Sequence, residues 1–170
     1  MSDMIQMYDP KREYKTHKPE IDAAIHQVLD HGIFINGPEV AKLEQTLSEY
    51  VGVKHAIGVS NGTDALTISM LALGIQPGDE VITVAHTWIS TAETISLIGA
   101  IPVFIDIEPD TFNMDHTKIE NAITDKTKAI MPVSLYGQIA DMDSINEIAK
   151  KHGLHVIEDG AQSFGAVYNG

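Results

Sequence analysis

The sequence predicts a layered α/β domain built on a mostly parallel sheet. Short apolar runs alternate with stretches of helical periodicity, and this alternation is typical of parallel strands that are covered on both faces. The predicted strands lie at residues 55–59, 81–84, 101–105, 129–133 and 154–157. The predicted helices between them lie at residues 64–73, 90–98, 115–123 and 141–151.

The first part of the chain precedes this alternation. Residues 1–18 are polar and irregular, so we interpret them as an arm outside the core. Apolar residues then recur at helical spacing, and Gly32 follows as a C-cap. Pro38 begins the next helix at its first position, where no N–H is needed. The apolar stripes of the two helices are Ile21, Ile25 and Leu29, and Val40, Leu43 and Leu47.

Composition and charge exclude several classes of function. The chain has 170 residues, of which 44% are hydrophobic, as expected for a folded globular domain. Its formal net charge of −13 argues against a nucleic-acid partner, because phosphate backbones require clustered Lys and Arg. It has no cysteine, and its eight histidines lack ligand spacing, so we expect no metal site. Since no signal peptide or membrane span is evident, we expect a cytoplasmic protein with no membrane partner.

Polar clusters follow four of the predicted strands. They are residues 60–63, 86–88, 134–137 and 159–162. In parallel α/β sheets, ligands bind outside the carboxyl ends of the strands, and these ends share one edge of the sheet. We therefore expect the four clusters to converge on one site.

The first cluster, Ser60-Asn61-Gly62-Thr63, precedes a predicted helix. Gly62 lets a ligand approach the backbone, the free N–H groups of a helix start suit a phosphate, and Thr63 could add a hydroxyl donor. An ordinary helix start, capped by Ser60 or Asn61, would explain the same residues. The chain contains neither a Walker loop nor a G-x-G-x-x-G motif, so the common nucleotide-binding folds are disfavoured.

Three further side chains at this edge suit a flat heterocyclic ligand. Trp88 could stack on an aromatic ring, although a single Trp is more often a half-buried core residue. Asp159 ends a buried strand and needs a positive charge or several donors, which a protonated ring nitrogen or the following turn could supply. Gln162 could bind a ring substituent or only loop backbone. Strand alternation turns the neighbouring Glu158 to the opposite face.

Five motifs together carry a resemblance to one family. They are Asn61-Gly62-Thr63-Asp64-Ala65-Leu66, Pro77-Gly78-Asp79-Glu80-Val81-Ile82, His86-Thr87-Trp88, Leu135-Tyr136-Gly137 and Glu158-Asp159-Gly160-Ala161-Gln162-Ser163-Phe164-Gly165-Ala166. In this order and spacing they resemble the nucleotide-sugar aminotransferases of the DegT/DnrJ/EryC1/StrS family, which are pyridoxal-phosphate (PLP) enzymes of fold type I. The resemblance implies a three-layer α/β/α large domain with a mostly parallel sheet. Residues 37–170 would form its first part, and residues 1–36 an N-terminal arm and helix.

The resemblance also implies a role for each cofactor-binding residue. Gly62 and Thr63 match the turn that holds the cofactor phosphate, and Trp88 matches the ring that stacks on the pyridine. Asp159 matches the aspartate that keeps the ring nitrogen protonated, and Gln162 the glutamine near the ring hydroxyl. The protonated ring is the electron sink of PLP chemistry.

The implied activity is transfer of an amino group, typically from glutamate, to a keto-sugar attached to a nucleotide. Such enzymes act in surface-polysaccharide or amino-sugar biosynthesis, and they are homodimers. The family's Schiff-base lysine lies downstream of the Asp-x-x-Gln motif, beyond Gly170, so we expect no catalytic residue in this chain and no activity of the fragment alone.

Three other interpretations stay open on the sequence. Some relatives have histidine in place of the lysine and act as PLP-dependent sugar dehydratases. A non-catalytic ligand-binding or regulatory fragment would keep the cofactor site without turnover. A generic α/β binding domain would explain the fold but not the combined motifs.

Overall fold

The computed structural model describes residues 7–169 of the chain. These residues fall into two compact units, one ending at Gly58 and the other beginning at Val59. The predicted division between residues 36 and 37 concerns the domain plan of the family and stays a prediction.

The first unit contains two helices. Helix α1 spans Pro10–His31 and helix α2 spans Pro38–Val51. Each ends at a glycine in the left-handed conformation, Gly32 and Gly52, whose N–H bonds back to the last turn. The predicted C-cap at Gly32 and the predicted position of Pro38 at the helix start are both confirmed.

The predicted irregular arm is wrong over residues 10–18, which belong to α1. The Asp9 carboxylate caps the helix by accepting the Arg12 N–H at 3.1 Å, and Pro10 follows in the first turn. Helix α1 is kinked at His17, two residues before Pro19, which has no N–H for the helical ladder. The helix therefore begins at its capping residues, well before the first residue of the apolar stripe. The part of the predicted arm at residues 1–6 lies outside the described residues.

The second unit is the predicted α/β domain. Its four strands are β1 (Glu80–Val84), β2 (Ile101–Ile105), β3 (Thr127–Ile130) and β4 (His155–Val156). All three strand pairings are parallel, in the order β2-β1-β3-β4. The helices are α3 (Gly62–Ala72), α4 (Ser90–Leu97), α5 (Ile119–Ala122) and α6 (Met142–His152). The helix predicted at residues 115–123 is divided into a 3-10 turn, His116–Lys118, and the short α5.

Side chains of the sheet alternate between two cores, and this makes the domain three-layered. Val81 and Ala129 lie in one core together with Leu66 of α3 and Ile95 of α4. Ile82 and Ile130 point the other way, into a core that contains Ile119 of α5 and Ile145 of α6. The period of two along each strand therefore covers both faces of the sheet with helices. The predicted three-layer α/β/α arrangement with a parallel sheet is confirmed.

The strand predicted at residues 55–59 is wrong. These residues are irregular, and within residues 7–169 no strand pairs with them. The Gly58 N–H is instead bound by the Glu44 carboxylate at 2.8 Å, and the Ile57 side chain is 80% exposed. An apolar run becomes a strand only where a neighbouring strand accepts its backbone hydrogen bonds.

Candidate functional site

A cavity of about 290 Å³ opens at the carboxyl edge of the sheet. Its walls come from the start of α3, the segment after β1 and the turn after β4. All five residues predicted for the cofactor site line it: Gly62, Thr63, Trp88, Asp159 and Gln162. Leu66, Ser90 and Ala161 complete the lining. Tertiary folding thus brings together residues up to 100 positions apart along the chain.

The wall formed by α3 offers backbone donors. Asn61 caps the helix, since its carboxamide oxygen accepts the Asp64 N–H at 2.9 Å, so the expected ordinary helix start is present. The N–H groups of Gly62 and Thr63 have no acceptor inside the helix, because the first turn has no preceding carbonyls. The space beside Gly62 is open where a side chain would stand. An anion in the cavity can therefore reach this helix start.

Two hydroxyl groups extend the same wall. The Thr63 hydroxyl donates to the Ser90 hydroxyl at 3.0 Å, which joins the first turns of α3 and α4. Both side chains line the cavity. Because each hydroxyl can donate one hydrogen bond and accept others, the Ser90 hydrogen stays available to a ligand.

Trp88 is an exposed ring at the rim of the cavity. Its side chain is 75% exposed, so the alternative of a half-buried core aromatic is wrong for the described structure. It is placed there by the turn after β1, three residues before the buried Thr91 of α4. An exposed indole next to polar groups is suited to stacking on a flat ligand.

Asp159 is fixed from both sides of its backbone. Its N–H donates to the Pro132 carbonyl at 2.9 Å, and its carbonyl accepts the Ser134 N–H at 3.1 Å. These bonds form an isolated parallel bridge between Val133 and Asp159, beyond the end of β4. The carboxylate is therefore held at a defined place on the carboxyl edge of the sheet.

The Asp159 carboxylate is only partly satisfied by the protein. Its Oδ1 accepts the Ala161 N–H at 3.2 Å, and its Oδ2 accepts the Thr91 hydroxyl at 3.0 Å. Asp159 thus also caps the turn that follows it, as the alternative interpretation expected. A carboxylate has about four acceptor positions, so capacity remains for a cationic N–H in the cavity.

Glu158 does not line the cavity. Its carboxylate accepts a hydrogen bond from the Ser134 hydroxyl instead. This agrees with the expectation that strand alternation separates the two neighbouring acids.

Gln162 has a defined amide orientation. Its Oε1 accepts the Tyr136 N–H at 2.9 Å, and a backbone N–H can only donate. The Nε2 of Gln162 is therefore the end that remains to donate to a ligand. Gln162 thus bonds to loop backbone, which was one of its two expected roles, and it also lines the cavity.

The clusters converge only in part. The first, second and fourth clusters contribute to the cavity lining, whereas residues 134–137 do not line it. The third cluster lies next to the site through the bond between Tyr136 and Gln162.

Sequence reasoning missed Ser90 and Thr91. Thr91 is fully buried, and its hydroxyl donates its single hydrogen to the Asp159 carboxylate. The bond between the Thr87 and Thr91 hydroxyls, 3.0 Å long, is therefore donated by Thr87. No motif marks these residues; only their place at the start of a helix that follows a strand could have pointed to them.

Two other kinds of feature are absent from residues 7–169. No group of three or more His, Asp or Glu side chains there could hold a metal ion. Nor is any helix in that range long and apolar enough to cross a membrane.

The fold and the cavity define a three-layer α/β domain with a candidate ligand site at the carboxyl edge of its sheet. Residues 15–170 match the DegT/DnrJ/EryC1/StrS aminotransferase family. The chain belongs to this family.

Curated relatives cover nearly the whole chain. The chain is 56% identical over 167 residues to UDP-2-acetamido-2-deoxy-3-oxo-D-glucuronate aminotransferase of Pseudomonas aeruginosa, a match of 98% of this chain and 46% of the relative. It is 52% identical to a protein of Geobacillus stearothermophilus named pleiotropic regulatory protein, over 98% of this chain and 45% of the relative. The chain thus spans less than half the length of these relatives.

Solved structures agree with the fold. Streptomyces venezuelae DesV, solved with a ketimine intermediate, matches at TM-score 0.93 and 43% identity, over 95% of this chain and 43% of DesV. A GDP-4-keto-6-deoxymannose-3-dehydratase, solved with PLP and glutamate trapped together, matches at TM-score 0.80 and 33% identity. That match covers 97% of this chain and 42% of the dehydratase. The second unit has the fold of a type I PLP enzyme.

Proposed function

We propose that this chain is the cofactor-binding first part of a PLP-dependent aminotransferase that acts on a nucleotide-linked keto-sugar. The amino donor is glutamate, and the product serves surface-polysaccharide or amino-sugar biosynthesis. One observation carries the proposal: the five residues assigned to one cofactor from sequence motifs line one cavity. A cytoplasmic homodimer is part of the same proposal.

The donor set of the cavity fits PLP. The helix start with the Thr63 and Ser90 hydroxyls provides donors for a phosphate without a cationic side chain. The exposed Trp88 ring provides a stacking surface, and the Nε2 of Gln162 provides a donor for a ring oxygen. The Asp159 carboxylate provides an acceptor for a protonated ring nitrogen.

Bound PLP would supply an electron sink for the carbanion that forms when the α-proton of the amino donor leaves. The task of this chain is to hold that sink in its protonated form. Asp159 does so electrostatically, since its negative charge favours the proton on a neighbouring ring nitrogen. The hydrogen bonds from Thr91 and Ala161 fix the direction of that carboxylate. Proton movement at the substrate is the task of the lysine that the family places downstream.

The test is PLP binding by Asp159→Asn, measured by absorbance titration of the product of the complete reading frame. Asparagine keeps the shape and can still accept from Thr91, but it lacks the charge. We expect at least tenfold weaker PLP binding, equivalent to about 1.4 kcal/mol, with a lower fraction of protonated ring in the spectrum. Glu158→Gln is the matched control, because the adjacent acid contacts Ser134 outside the cavity. Equal loss in both variants would contradict the assignment of Asp159.

The reaction is tested on the same protein with ¹⁵N-glutamate and nucleotide-linked keto-sugars. Transfer of ¹⁵N to the sugar, with release of 2-oxoglutarate, is the expected result. Loss of a sugar hydroxyl without ¹⁵N transfer would instead identify a dehydratase, an alternative supported by the 33% identical dehydratase structure. PLP binding without any turnover would favour a regulatory role, as in the name of the Geobacillus relative.

A further inference from the structure

Three aromatic side chains form a cluster beside the cofactor cavity. His86 follows β1, Phe112 lies on the loop after β2, and Tyr136 follows β3. Their ring centroids are 5.9 Å (His86–Phe112), 6.1 Å (His86–Tyr136) and 6.4 Å (Phe112–Tyr136) apart. The Tyr136 hydroxyl also lies 3.3 Å from the Nε2 of His86. We name these residues the aromatic triad.

Two members of the aromatic triad have strained backbones. Among the described residues, four other than glycine have positive φ: Asn36, Phe112, Tyr136 and Asn169. Asparagine adopts this conformation readily, whereas a bulky aromatic residue does so at a cost. Phe112 (φ 61°) and Tyr136 (φ 57°) are the two aromatic cases, and they contact each other. The strain of residues 7–169 is thus concentrated in this cluster.

The surrounding structure holds both strained residues in place. Asn113, next to Phe112, is 3% exposed and bonds to the turn that carries Tyr136. Its Oδ1 accepts the Leu135 N–H at 3.3 Å, and its Nδ2 donates to the Gln138 carbonyl at 3.1 Å. The Tyr136 N–H is bound by Gln162 of the cavity wall. The aromatic triad is therefore rigidly tied to the cofactor site.

Core packing does not explain this arrangement. The side chains of Phe112 and Tyr136 are 46% and 69% exposed, and His86 is exposed as well. Within the described structure, burial of these rings does not offset the cost of the strained backbone. Backbone strain of this kind is characteristic of ligand-binding sites. The observed outlier thus points to a ligand that covers the rings.

We propose that the aromatic triad binds the sugar ring of the nucleotide-linked substrate and so determines which sugar is accepted. This rests on the proposed function. The apolar face of a pyranose suits stacking on aromatic rings, while the Tyr136 hydroxyl and the His86 imidazole can bond to its hydroxyl groups. No member carries the fixed cation that a diphosphate would require, so the sugar ring is the part of the substrate that fits. The link through Gln162 places that sugar next to the cofactor.

The test compares two variants with one control in the PLP-loaded product of the complete reading frame. Phe112→Leu removes a ring. Tyr136→Asn removes a ring and also relieves strain, because asparagine tolerates positive φ. Phe104→Leu is the control, since Phe104 is an equally exposed aromatic on the regular strand β2. The probes, used in calorimetric titration, are UDP-N-acetylglucosamine, dTDP-glucose and GDP-mannose, each paired with its free nucleoside diphosphate.

We expect the unchanged protein to bind one nucleotide sugar more tightly than its nucleoside diphosphate. Each triad variant should reduce that difference about tenfold and leave PLP absorbance and nucleoside diphosphate affinity unchanged. Tyr136→Asn should also keep or raise the thermal midpoint, which a merely structural residue would not do. Phe104→Leu should leave the difference intact.

Other results would overturn the inference in distinguishable ways. If the variants bind the nucleotide sugar as the unchanged protein does, the triad assignment fails and the proposed function survives. Equal losses for sugar and free nucleoside diphosphate would place the nucleotide at the triad instead. A change in oligomeric mass would make the triad a surface for a second copy. If the unchanged protein binds PLP but no nucleotide sugar, both the inference and the sugar substrate fail.

Discussion

At the residue scale, the candidate site depends on a chain of hydrogen bonds that could not be predicted from any sequence motif. The Thr87 hydroxyl donates to Thr91, and Thr91 donates to the Asp159 carboxylate. Together these two bonds fix the position of the Asp159 carboxylate. Asp159 itself could be predicted from the sequence, because a carboxylate at the end of a buried strand needs a partner. The identity of its protein partner could not, since Thr91 lies 68 positions away.

Thr91→Val tests this chain of hydrogen bonds. Valine has nearly the same shape but can neither donate to Asp159 nor accept from Thr87, so the fully buried site loses two hydrogen bonds. We expect a loss of about 2 kcal/mol in the free energy of unfolding and several-fold weaker PLP binding. Urea unfolding and absorbance titration measure the two effects. Thr91→Ser keeps the hydroxyl and should keep PLP affinity; if it fails as valine does, packing and not donation is the cause.

At the element scale, helix α6 begins with a cap that makes stability depend on pH. The Asp141 carboxylate accepts the Ser144 hydroxyl at 2.7 Å and the Ser144 N–H at 3.2 Å. The Ser144 hydroxyl is the largest cause that holds the pKa of Asp141 below its ordinary value, with smaller contributions from Tyr168 and His116. The folded protein therefore binds fewer protons at Asp141 than the unfolded chain does. Its stabilisation is complete above about pH 4 and is lost as the pH falls further.

Asp141→Ala should show this dependence. At pH 7 we expect the free energy of unfolding to fall by about 1 kcal/mol, as for other lost helix caps. At pH 3 the loss should be smaller, because the unfolded chain then binds a proton at Asp141 more readily than the folded protein does, and this offsets part of the stabilisation. Denaturant unfolding at both pH values measures it. Asp141→Asn can still cap but has no charge, so at pH 7 it should lose less free energy of unfolding than Asp141→Ala does. A pH-independent loss in Asp141→Ala would argue against the charged cap.

Two glycines that follow helices differ in what an added side chain would meet, so their substitution distinguishes the cost of backbone strain from the cost of a steric clash. Gly74 and Gly99 both have positive φ, 76° and 81°. A Cβ at Gly74 would meet nothing within 4 Å, whereas at Gly99 it would stand 2.9 Å from the Cβ of Pro77. Gly74→Ala should therefore cost about 1 kcal/mol of unfolding free energy, and Gly99→Ala at least about 2 kcal/mol. Equal costs in urea unfolding would show that the Pro77 loop yields without strain.

The element scale also shows where sequence patterns mislead. The apolar run at residues 55–59 has the composition of a strand, yet it finds no partner strand among residues 7–169. Residues 10–18 look irregular because they lack an apolar stripe, yet Asp9 and Pro10 begin a helix there. Strand pairing is non-local and cannot be predicted from one apolar run. The cap at Asp9 is a local signal, but the prediction gave more weight to the missing apolar periodicity.

At the scale of the whole molecule, the cavity proposed to bind PLP has no amine that could anchor the cofactor. Within the described residues no lysine lines it. When PLP is added to the 170-residue chain and reduced with borohydride, we therefore expect no single lysine to be labelled stoichiometrically. Intact and peptide mass spectrometry provides the measurement. One fully labelled lysine would contradict the expectation, and so would transaminase turnover by the purified chain.

The sequence by itself determined the alternation of strands and helices, the parallel three-layer class and the five residues that line one cavity at the carboxyl edge of the sheet. These follow from local periodicity and from motifs whose residue types carry the chemistry. Only the tertiary structure decided which hydrogen bonds fix Asp159 and Gln162, and that Phe112 and Tyr136 meet in strained conformations. Such contacts join segments far apart in the chain, and their geometry depends on strand register and turn conformation, which no local pattern specifies.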